Sequence, residues 1–440
     1  MQIELTDNNS VSANNRFQRD DIVALFPFGD KTISELCRDH EHLLVFPESI
    51  EECDDEIGNG TLYSIQNTDN PDEVRVVTGN IMGFVGIGNI KLKIKSRFDL
   101  GQNDYFLHYM LQKVLALNMF DLDLNSGEEG LSELLMLMFP HLLKSALQQG
   151  VFRQYQCYNH NDSNVHGSIN VSQHLRNNVP FSGKFAYTTH EYSRDNDVTQ
   201  LIRHTIEFMQ STHFGQCVLS SCRETTENIK IIKHYTTLYN KVERATVINR
   251  NLRLKSHPYY TKYRSLQLLC IQILRMEEVK YGEDDNEIHG VLFDGAWLWE
   301  EYVATLLRDC RFIHAENRLR KKGFALFTDG SGLRYPDFYN DEMVLDAKYK
   351  RLEECKRVAE VDRNDIHQII TYMTALHVKR GGFVAPLTAK TEERVTAHLR
   401  DGISMIGIYG VQIATSASSY IEFVVQMQKH EKDFLASIES

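Results

Sequence analysis

Short apolar runs separated by polar turn clusters predict that the first hundred residues are rich in β-structure. The runs "HLLVFP", "GTLYSIQN", "EVRVVTG" and "IKLKIKSRF" contain mainly residues that favour strands. Strict alternation in "KLKIK" predicts that Leu92 and Ile94 lie on one face of a strand and the lysines on the other. Several short strands joined by polar turns predict a small β-barrel or sandwich, in an N-terminal domain spanning residues 1–100.

From residue 101 the apolar residues recur at helical spacing. "YFLHYMLQKVLALN" and "LSELLMLMFPHLLKSALQQG" carry apolar stripes, and Gly150 is the expected stop of the second helix. "RDNDVTQLIRHTIEFMQ" places Asp and Asn ahead of another periodic run, which is a common helix start. Two further helices are predicted at about 225–248 and 262–281. We therefore predict a mainly helical middle domain, residues 101–285, which ends in the acidic linker "YGEDDNEIHG".

Residues 286–440 alternate between helix and strand patterns and predict a C-terminal α/β domain. Within it, "LRYPDFY" and "EMVLDAKYK" are strand-like, and Asn340-Asp341 between them is a candidate two-residue hairpin turn. Pro336 lacks a donor for the strand ladder, so we expect this strand to lie at a sheet edge or to bulge there. The whole chain is thus predicted to be an α+β multidomain protein.

The predicted hairpin register gathers three charged side chains on one face. Asp337 faces Val344 and lies diagonal to Asp346, and Lys348 projects on the same side. Charged side chains are rarely buried unless they are paired or bind a metal. Two carboxylates suit Mg²⁺, which usually takes one or two of them and lowers the pKa of a bound water. The alternative is a solvated hairpin with a salt bridge that contributes little.

Two flanking helices carry further polar candidates. In "DGAWLWEEYVATLLRDC", Glu300 lies at the edge of the apolar stripe, where a carboxylate needs a partner, whereas Glu301 is expected in solvent. In "DRNDIHQIITYMTAL", Gln368 and Tyr372 are neighbours on one helix face. The charged stretch "YKRLEECKRVAEVDRND", which follows Lys348 and precedes Gln368, is expected to be a solvated loop.

Composition narrows the class of protein. The chain has 440 residues and a net charge of −12, which argues against general affinity for polyanions but leaves open a local basic groove or a basic partner. Its eight cysteines include no CxxC pair, so we expect reduced thiols. The N-terminal sequence has no signal-peptide pattern, and no apolar run approaches the roughly 20 residues of a membrane span. We expect a soluble, cytoplasmic protein without a membrane partner.

One basic segment also contains aromatic residues. "INRNLRLKSHPYYTKYR" interleaves five lysines and arginines with three tyrosines. Such a segment can hold phosphates and stack bases. The alternative, which we favour at this point, is a solvated loop whose tyrosines pack on the core.

The polar candidates fall in the order of a known motif. They resemble the PD-(D/E)xK nucleases, with Glu300 on a helix, then Pro336-Asp337, Asp346-Ala347-Lys348 and Gln368-x-x-x-Tyr372. More narrowly, "VLDAKYK" followed by "HQIITYMTAL" resembles the McrC family, the nuclease subunits of modification-dependent McrBC restriction systems, and the related LlaJI-type subunits. "GFVGIGNIKLKIKSRF", "DYFLHYMLQKVL", "VHGSINVSQHLRNN" and "YSRDNDVTQLIRHTI" are similar to family segments in the same order, so the resemblance covers roughly residues 80–440.

The resemblance implies a role for each candidate residue. Mg²⁺, or Mn²⁺ in its place, would be held by Asp337, Asp346, the Ala347 carbonyl and Glu300. Lys348 would position the attacking water, and Gln368 and Tyr372 would brace the site or touch DNA phosphates. Residues 286–440 would then form a PD-(D/E)xK endonuclease domain.

The resemblance also implies a partner. This would be a hexameric, McrB-like AAA+ GTPase that binds the GTP and recognises double-stranded, methylated DNA. The N-terminal part of the present chain would engage the ring and stimulate GTP hydrolysis. The lack of a Walker A motif in this chain fits that division of labour.

Two other functions stay open. The chain could be a non-catalytic adaptor that activates the GTPase ring, but the intact acidic pair and lysine argue against it. It could be a stand-alone DNA repair nuclease, but such an enzyme has no evident need for the regions before residue 286.

Overall fold

The chain forms two compact units, residues 1–134 together with 280–440, and residues 135–279. The computed structural model describes residues 1–10, 15–40, 43–47, 60–87, 90–99, 104–115, 128–275, 288–315, 320–388 and 395–439. Both units contain helices and strands, which confirms the predicted α+β class. The finer layout, with a barrel or sandwich and three domains, stays a prediction. Most of the predicted acidic linker lies outside the described residues.

No helix among the described residues is both long and apolar enough to cross a membrane.

The N-terminal strands form two sheets around one core. The elements are β1 Gln2–Thr6, β2 Arg16–Gln18, α1 Ile33–Asp39, β3 Leu43–Phe46, β4 Tyr63–Asn67, β5 Glu73–Thr78, β6 Ile81–Ile87, β7 Ile90–Lys95 and α2 Tyr105–Val114, with a 3₁₀ helix at Arg19–Phe28. One sheet has the order β2-β5-β4. The other has the order β1-β7-β6-β11-β3, where β11 is Ile288–Asp294. A strand from the second half of the sequence therefore completes the N-terminal sheet.

Two lysines of "KLKIK" are buried although they lie on the polar face of the strand. Lys93 and Lys95 are only 7% and 8% exposed. Lys93 lies over the Phe84 ring and 3.9 Å from the Asp104 carboxylate, which stands at the start of α2. Lys95 pairs with Glu4 on the neighbouring β1 at 2.5 Å. Strand alternation was read correctly, but acidic groups cover the lysine face.

The second unit packs helices beside a three-stranded antiparallel sheet of order β8-β10-β9. Its elements are most of α3 Glu128–Gln148, then β8 Gln154–Asp162, β9 Ser168–Ile169, α4 Val171–Asn177, β10 Phe185–Ser193, α5 Asp197–Met209, α6 His213–Ser220, α7 Arg223–Tyr235, α8 Arg244–Asn251 and α9 Tyr263–Arg275. Asn196 caps α5 by accepting from the N–H groups of Val198 and Thr199, as the polar start signal predicts. The single helix predicted at 225–248 is wrong, because a turn separates α7 from α8.

The C-terminal residues build a six-stranded mixed sheet. The elements are α10 Gly295–Leu307, β12 Ile313–His314, β13 Phe324–Ala325, β14 Leu333–Arg334, β15 Phe338–Tyr339, β16 Met343–Ala347, α11 Arg363–Leu376, β17 Arg380–Leu387, β18 Thr396–His398, β19 Met405–Gln412 and α12 Tyr420–Glu439. The strand order is β12-β15-β16-β17-β19-β18, and β13 pairs with β14 in a separate two-stranded sheet. Strands β16, β17 and β19 are parallel. Parallel neighbours need a crossover, and α11 provides it between β16 and β17.

Close packing fixes α11 against this sheet. Gly381 on β17 lies under α11, and a Cβ there would come within 2.5 Å of the Met373 sulfur. Ile369 and Met373 of α11 are buried in the same core as Val344 of β16. The helix face that carries Gln368 and Tyr372 is therefore held beside the end of β16.

The predicted hairpin register is wrong by two residues, because each residue of the first strand pairs two positions further along the second strand than predicted. Phe338 pairs with Leu345 and Tyr339 with Val344, so Asp341-Glu342 is the turn instead of Asn340-Asp341. The Asn340 side chain accepts from the N–H groups of Glu342 and Met343, at 3.0 and 2.8 Å. Asn at the first position of a turn commonly does this, and that signal was overlooked.

Candidate active site

Asp337 lies at a break in the sheet that Pro336 creates. The predicted strand "LRYPDFY" is two short strands, β14 and β15, that belong to different sheets. β15 is internal, between β12 and β16, so the edge position expected for it is wrong. Asp337 accepts a 2.6 Å hydrogen bond at Oδ2 from the Ala347 N–H. Extending the observed register places Asp337 directly opposite Asp346. Because the observed pairing differs from the predicted one by an even number of residues, Asp337 and Asp346 still project from the same face of the sheet.

Asp346 and Lys348 form an ion pair at the end of β16. Lys348 Nζ lies 2.7 Å from Asp346 Oδ2 and 3.2 Å from Asp365 Oδ1 on α11. Asp365 also pairs with Lys350 at 2.7 Å. The Lys348 N–H donates to the Val384 carbonyl of β17, so the sheet ladder continues to the lysine itself. The lysine is thereby fixed by its backbone as well as by two carboxylates.

Gln368 and Tyr372 extend this cluster along α11. Gln368 Oε1 accepts from Lys348 Nζ at 3.5 Å, and its Nε2 donates to the Tyr372 hydroxyl at 2.8 Å. The four-residue spacing that made them neighbours in the sequence therefore produces a direct contact.

Glu300 approaches from α10. The Asp294 side chain caps this helix by accepting from the Ala296 N–H at 2.8 Å. Trp299 is fully buried and donates to the same Val384 carbonyl that receives the Lys348 N–H. Glu300, next in the chain, accepts at Oε1 from His314 Nε2 at 3.0 Å when that ring nitrogen carries the proton. Helix α10 is thus anchored to the sheet beside the cluster.

Burial and mutual repulsion disfavour ionisation of the two aspartates. Burial raises the pKa of Asp337 well above its usual range, and the Glu300 and Asp346 carboxylates add to this effect. Burial also raises the pKa of Asp346, with Lys348 opposing the shift and Asp365 and Glu300 supporting it. The cluster therefore holds more carboxylate than its lysine neutralises.

The pKa of Asp365 is shifted down, whereas the pKa values of the other two aspartates are shifted up. Burial acts to raise the pKa of Asp365, but hydrogen bonds and charge from Lys350 and Lys348 outweigh it and lower the pKa. Asp365 is therefore the anion that the lysines stabilise, whereas Asp337 and Asp346 are the groups short of positive charge.

A divalent cation fits this donor set. No group of three or more His, Cys, Asp and Glu side chains is arranged to hold a metal among the described residues. Mg²⁺ does not need one, because it usually binds through one or two carboxylates and keeps several waters. Asp346 is buried and Asp337 is half-buried, both have raised pKa values, and a bound cation would relieve their repulsion.

Two residues of the cluster were missed in the sequence. Asp365 lies three residues before Gln368, so helical spacing could have placed it on the same face. Nothing in the sequence pattern marks His314 as the partner of Glu300.

The charged stretch after Lys348 is more ordered than a solvated loop. It contains short 3₁₀ turns at Leu352–Glu354 and Val358–Glu360. Leu352, Val358 and Val361 are buried in the core under α11. The expectation of a simple solvated loop is therefore wrong, because three apolar residues spaced through the charges anchor it.

Paired carboxylates and a lysine at the end of a central strand are residue types that suit metal-assisted hydrolysis. The sequence matches the McrBC family model, described as McrBC 5-methylcytosine restriction system component, over residues 76–386. The chain belongs to this family, and the McrC-type assignment made from the sequence is confirmed.

Two solved structures that are similar to this chain are complexes from Thermococcus gammatolerans. The first is a half-complex from the tetradecameric assembly of Thermococcus gammatolerans McrB AAA+ hexamers with bound McrC, at 14% identity and a TM-score of 0.48, covering 100% of both chains. The second is a Thermococcus gammatolerans McrBC complex, at 13% identity and a TM-score of 0.30, covering 70% of this chain and 87% of that one. Similarity at this level adds nothing to the family assignment. No curated protein matches the sequence.

Proposed function

We propose that the chain is the nuclease subunit of a GTP-dependent, McrBC-like restriction system that cleaves methylated double-stranded DNA. The observation that carries the proposal is the convergence of Asp337, Asp346 and Lys348 at one end of β16, with Gln368 alongside. Membership of the McrBC family supports the biological setting. In this proposal residues 286–440 act as a PD-(D/E)xK endonuclease domain.

Lys348 acts as a positive charge and a donor. Burial opposes its charge, but Asp346, Asp365 and Asp337 outweigh burial and raise the pKa of the ammonium. The group therefore stays protonated and cannot serve as a general base at neutral pH. In the proposed reaction its Nζ orients an attacking water through the water oxygen and offsets the negative charge that develops on the phosphate.

Asp337 and Asp346 bind the cofactor in this proposal. When bound there, Mg²⁺ supplies Lewis-acid polarisation and a water of lowered pKa. The hydrogen bond from the Ala347 N–H fixes Asp337 Oδ2, which leaves Oδ1 as the candidate ligand atom. The Ala347 carbonyl and Glu300 complete the proposed set, and Gln368 and Tyr372 keep the lysine in place or meet the DNA phosphates.

The partner in this proposal is a McrB-like AAA+ GTPase. One of the Thermococcus gammatolerans structures is described as McrB AAA+ hexamers with bound McrC. In keeping with the family resemblance, the region we assign to residues 1–100 would engage such a ring and stimulate its GTP hydrolysis, and the partner would bind the GTP and supply most of the DNA affinity. A net charge of −12 on this chain fits a nuclease that relies on its partner for DNA affinity.

The test compares two aspartates of the same hairpin. Asp346→Asn removes a buried carboxylate of the cluster, whereas Asp341→Asn changes an exposed one in the turn. With the AAA+ partner, GTP, Mg²⁺ and methylated DNA, we expect Asp346→Asn to abolish cleavage and to leave partner binding and GTP hydrolysis unchanged. Asp341→Asn is expected to cut like the unaltered protein. Full cleavage by Asp346→Asn would overturn the proposed site.

A further inference from the structure

The second compact unit is basic although the chain as a whole is acidic. Residues 135–279 contain 17 lysines and arginines against 10 aspartates and glutamates, a formal charge of +7. The whole chain carries −12. Affinity for nucleic acid depends mainly on phosphate neutralisation by such side chains. This unit therefore has the positive charge that polyanion binding requires, although the net charge of the whole chain is negative.

Three exposed tyrosines form what we call the aromatic surface of this unit: Tyr155, Tyr192 and Tyr259. They are 72%, 43% and 64% exposed. Tyr155 and Tyr192 lie opposite each other on β8 and β10, with ring centroids 5.0 Å apart. Tyr192 contacts Tyr260, whose ring lies 5.0 Å from that of Tyr259. The three exposed rings thus form one continuous aromatic group.

Buried rings hold the aromatic surface in place. Tyr260 is 8% exposed and packs against Phe152, which is 2% exposed, at 5.0 Å. The Arg153 guanidinium lies 6.0 Å from the centre of the Tyr192 ring. An aromatic platform that is already fixed loses little conformational entropy when a ligand stacks on it.

Acidic groups are absent from the sheet face that carries these rings. Among the described residues of β8 and β10, this face comprises Tyr155, Cys157, Asn159 and Asn161, with Tyr192, His190, Thr188 and Ala186 opposite. Asp162 and Glu191 project from the other face because side chains alternate. Asp197, just beyond β10, is engaged by Lys255 and Arg250. No carboxylate of this sheet face would repel a phosphate chain.

We propose that the aromatic surface binds single-stranded DNA, with bases stacked on Tyr155, Tyr192 and Tyr259. Arg153 and the exposed Arg253 and Arg264 of the neighbouring segment supply positive charge for the phosphates. Stacking on tyrosine requires unpaired bases, whose faces are hidden inside a duplex. This surface is separate from the candidate active site and adds a second DNA contact to the one that cleavage requires.

The structure also revises the interpretation of the basic segment that contains Tyr259, Tyr260 and Tyr263. Tyr260 and Tyr263 are buried, as the solvated-loop alternative expects. Tyr259 is exposed and joins tyrosines from two strands that are distant in sequence. The segment therefore contributes both to the core and to the aromatic surface.

The test is fluorescence anisotropy of a labelled oligothymidylate of about twenty nucleotides with the full-length chain, without metal or partner. We expect salt-sensitive binding that weakens about ten-fold in Tyr155→Ala and in Tyr192→Ala, because each base–aromatic stack is worth roughly that factor or more. Tyr155→Phe keeps the ring and should bind normally. Phe181→Ala removes a similarly exposed ring elsewhere in the same unit, so it serves as the matched control.

Thermal melting separates binding from folding. Tyr155 and Tyr192 are also a cross-strand pair that stabilises the sheet. If the Tyr→Ala variants melt lower but bind like the unaltered protein, the rings are structural and the proposal is wrong. Equal binding of a duplex of the same length would overturn base stacking. If the unaltered chain ignores the oligonucleotide while the Tyr→Ala variants lose stimulation of a partner GTPase, the surface is a protein contact. None of these outcomes depends on whether the chain cleaves DNA.

Discussion

At the residue scale, the candidate site depends on one lysine among several carboxylates. Lys348 contacts Asp346 and Asp365 directly, and Asp337 adds to the field that keeps it charged. Lys350 shares Asp365 but is half-exposed, with 51% of its side chain accessible against 17% for Lys348. The two lysines therefore offer a comparison within one ion-pair network.

Substituting these lysines separately should show whether Lys348 acts directly in DNA cleavage or only neutralises Asp365. We expect Lys348→Ala to reduce DNA cleavage by about 100-fold or more, the typical effect of removing a donor that stabilises transition-state charge. Lys350→Ala should change cleavage by no more than about three-fold, because an exposed ion pair contributes little. Single-turnover cleavage with saturating partner and GTP measures both. Equal losses in the two variants would mean that Lys348 acts only by holding Asp365.

A second residue-scale prediction concerns pH and a buried acid in the N-terminal core. Burial raises the pKa of Asp104 from its ordinary 3.8 to about 6, despite Lys93 and Lys95 nearby. Because the folded pKa is raised, the proton is held more tightly by the folded chain. This stabilisation is complete below about pH 4 and is lost as the pH rises through about 6.

Asp104→Asn should remove this pH dependence. Relative to the unaltered protein, its free energy of unfolding is expected to rise by about 2 to 3 kcal/mol between pH 4 and pH 7, since one pKa unit corresponds to about 1.4 kcal/mol. Urea unfolding of both proteins at several pH values measures the difference. A difference that stays constant with pH would show that Asp104 titrates normally in the folded chain.

At the element scale, strand alternation and helical spacing predicted the candidate site better than they predicted its surroundings. The face shared by Asp337, Asp346 and Lys348, and the contact between Gln368 and Tyr372, follow from periods of two and of 3.6 residues. The hairpin register was missed, since it depends on the side chain of Asn340. Burial of Lys93 was missed because its covering groups come from other elements.

A tertiary link that no local pattern reveals ties the end of β7 to the end of β16. Arg97 donates to the Tyr349 carbonyl and lies 3.2 Å from Asp7. The Tyr349 hydroxyl lies 2.7 Å from Ser96 Oγ, and Arg351 donates to the Arg97 carbonyl at 2.8 Å. The residues just after Lys348 are therefore held by the N-terminal sheet.

This link predicts that an N-terminal substitution reaches the candidate site. Arg97→Ala should lower the free energy of unfolding by about 3 kcal/mol, since it leaves the buried Asp7 carboxylate without its partner. At a temperature where the variant stays folded, we expect cleavage to fall more than stimulation of GTP hydrolysis. Arg97→Lys retains a charge and should recover part of both. Full cleavage by a folded Arg97→Ala protein would show that β16 keeps its position without the link.

At the scale of the whole molecule, charge and chemistry are divided between regions. Residues 135–279 carry +7, whereas the complete chain carries −12 and the carboxylate cluster lies in the C-terminal sheet. Composition indicated only the net charge of the whole chain, and the order of the motifs indicated the family. Neither could show that β11 from the second half of the sequence lies between β6 and β3, because such pairing depends on tertiary contacts.

The most informative single measurement is cleavage of long methylated DNA in Mg²⁺ by the unaltered chain, with and without a McrB-like AAA+ partner and GTP. If the chain is the nuclease of a GTP-dependent restriction system, double-strand breaks appear only when both partner and GTP are present. Breaks made by the chain alone would indicate a stand-alone nuclease. GTP hydrolysis without any breaks would contradict the proposed nuclease and leave an adaptor that activates the ring.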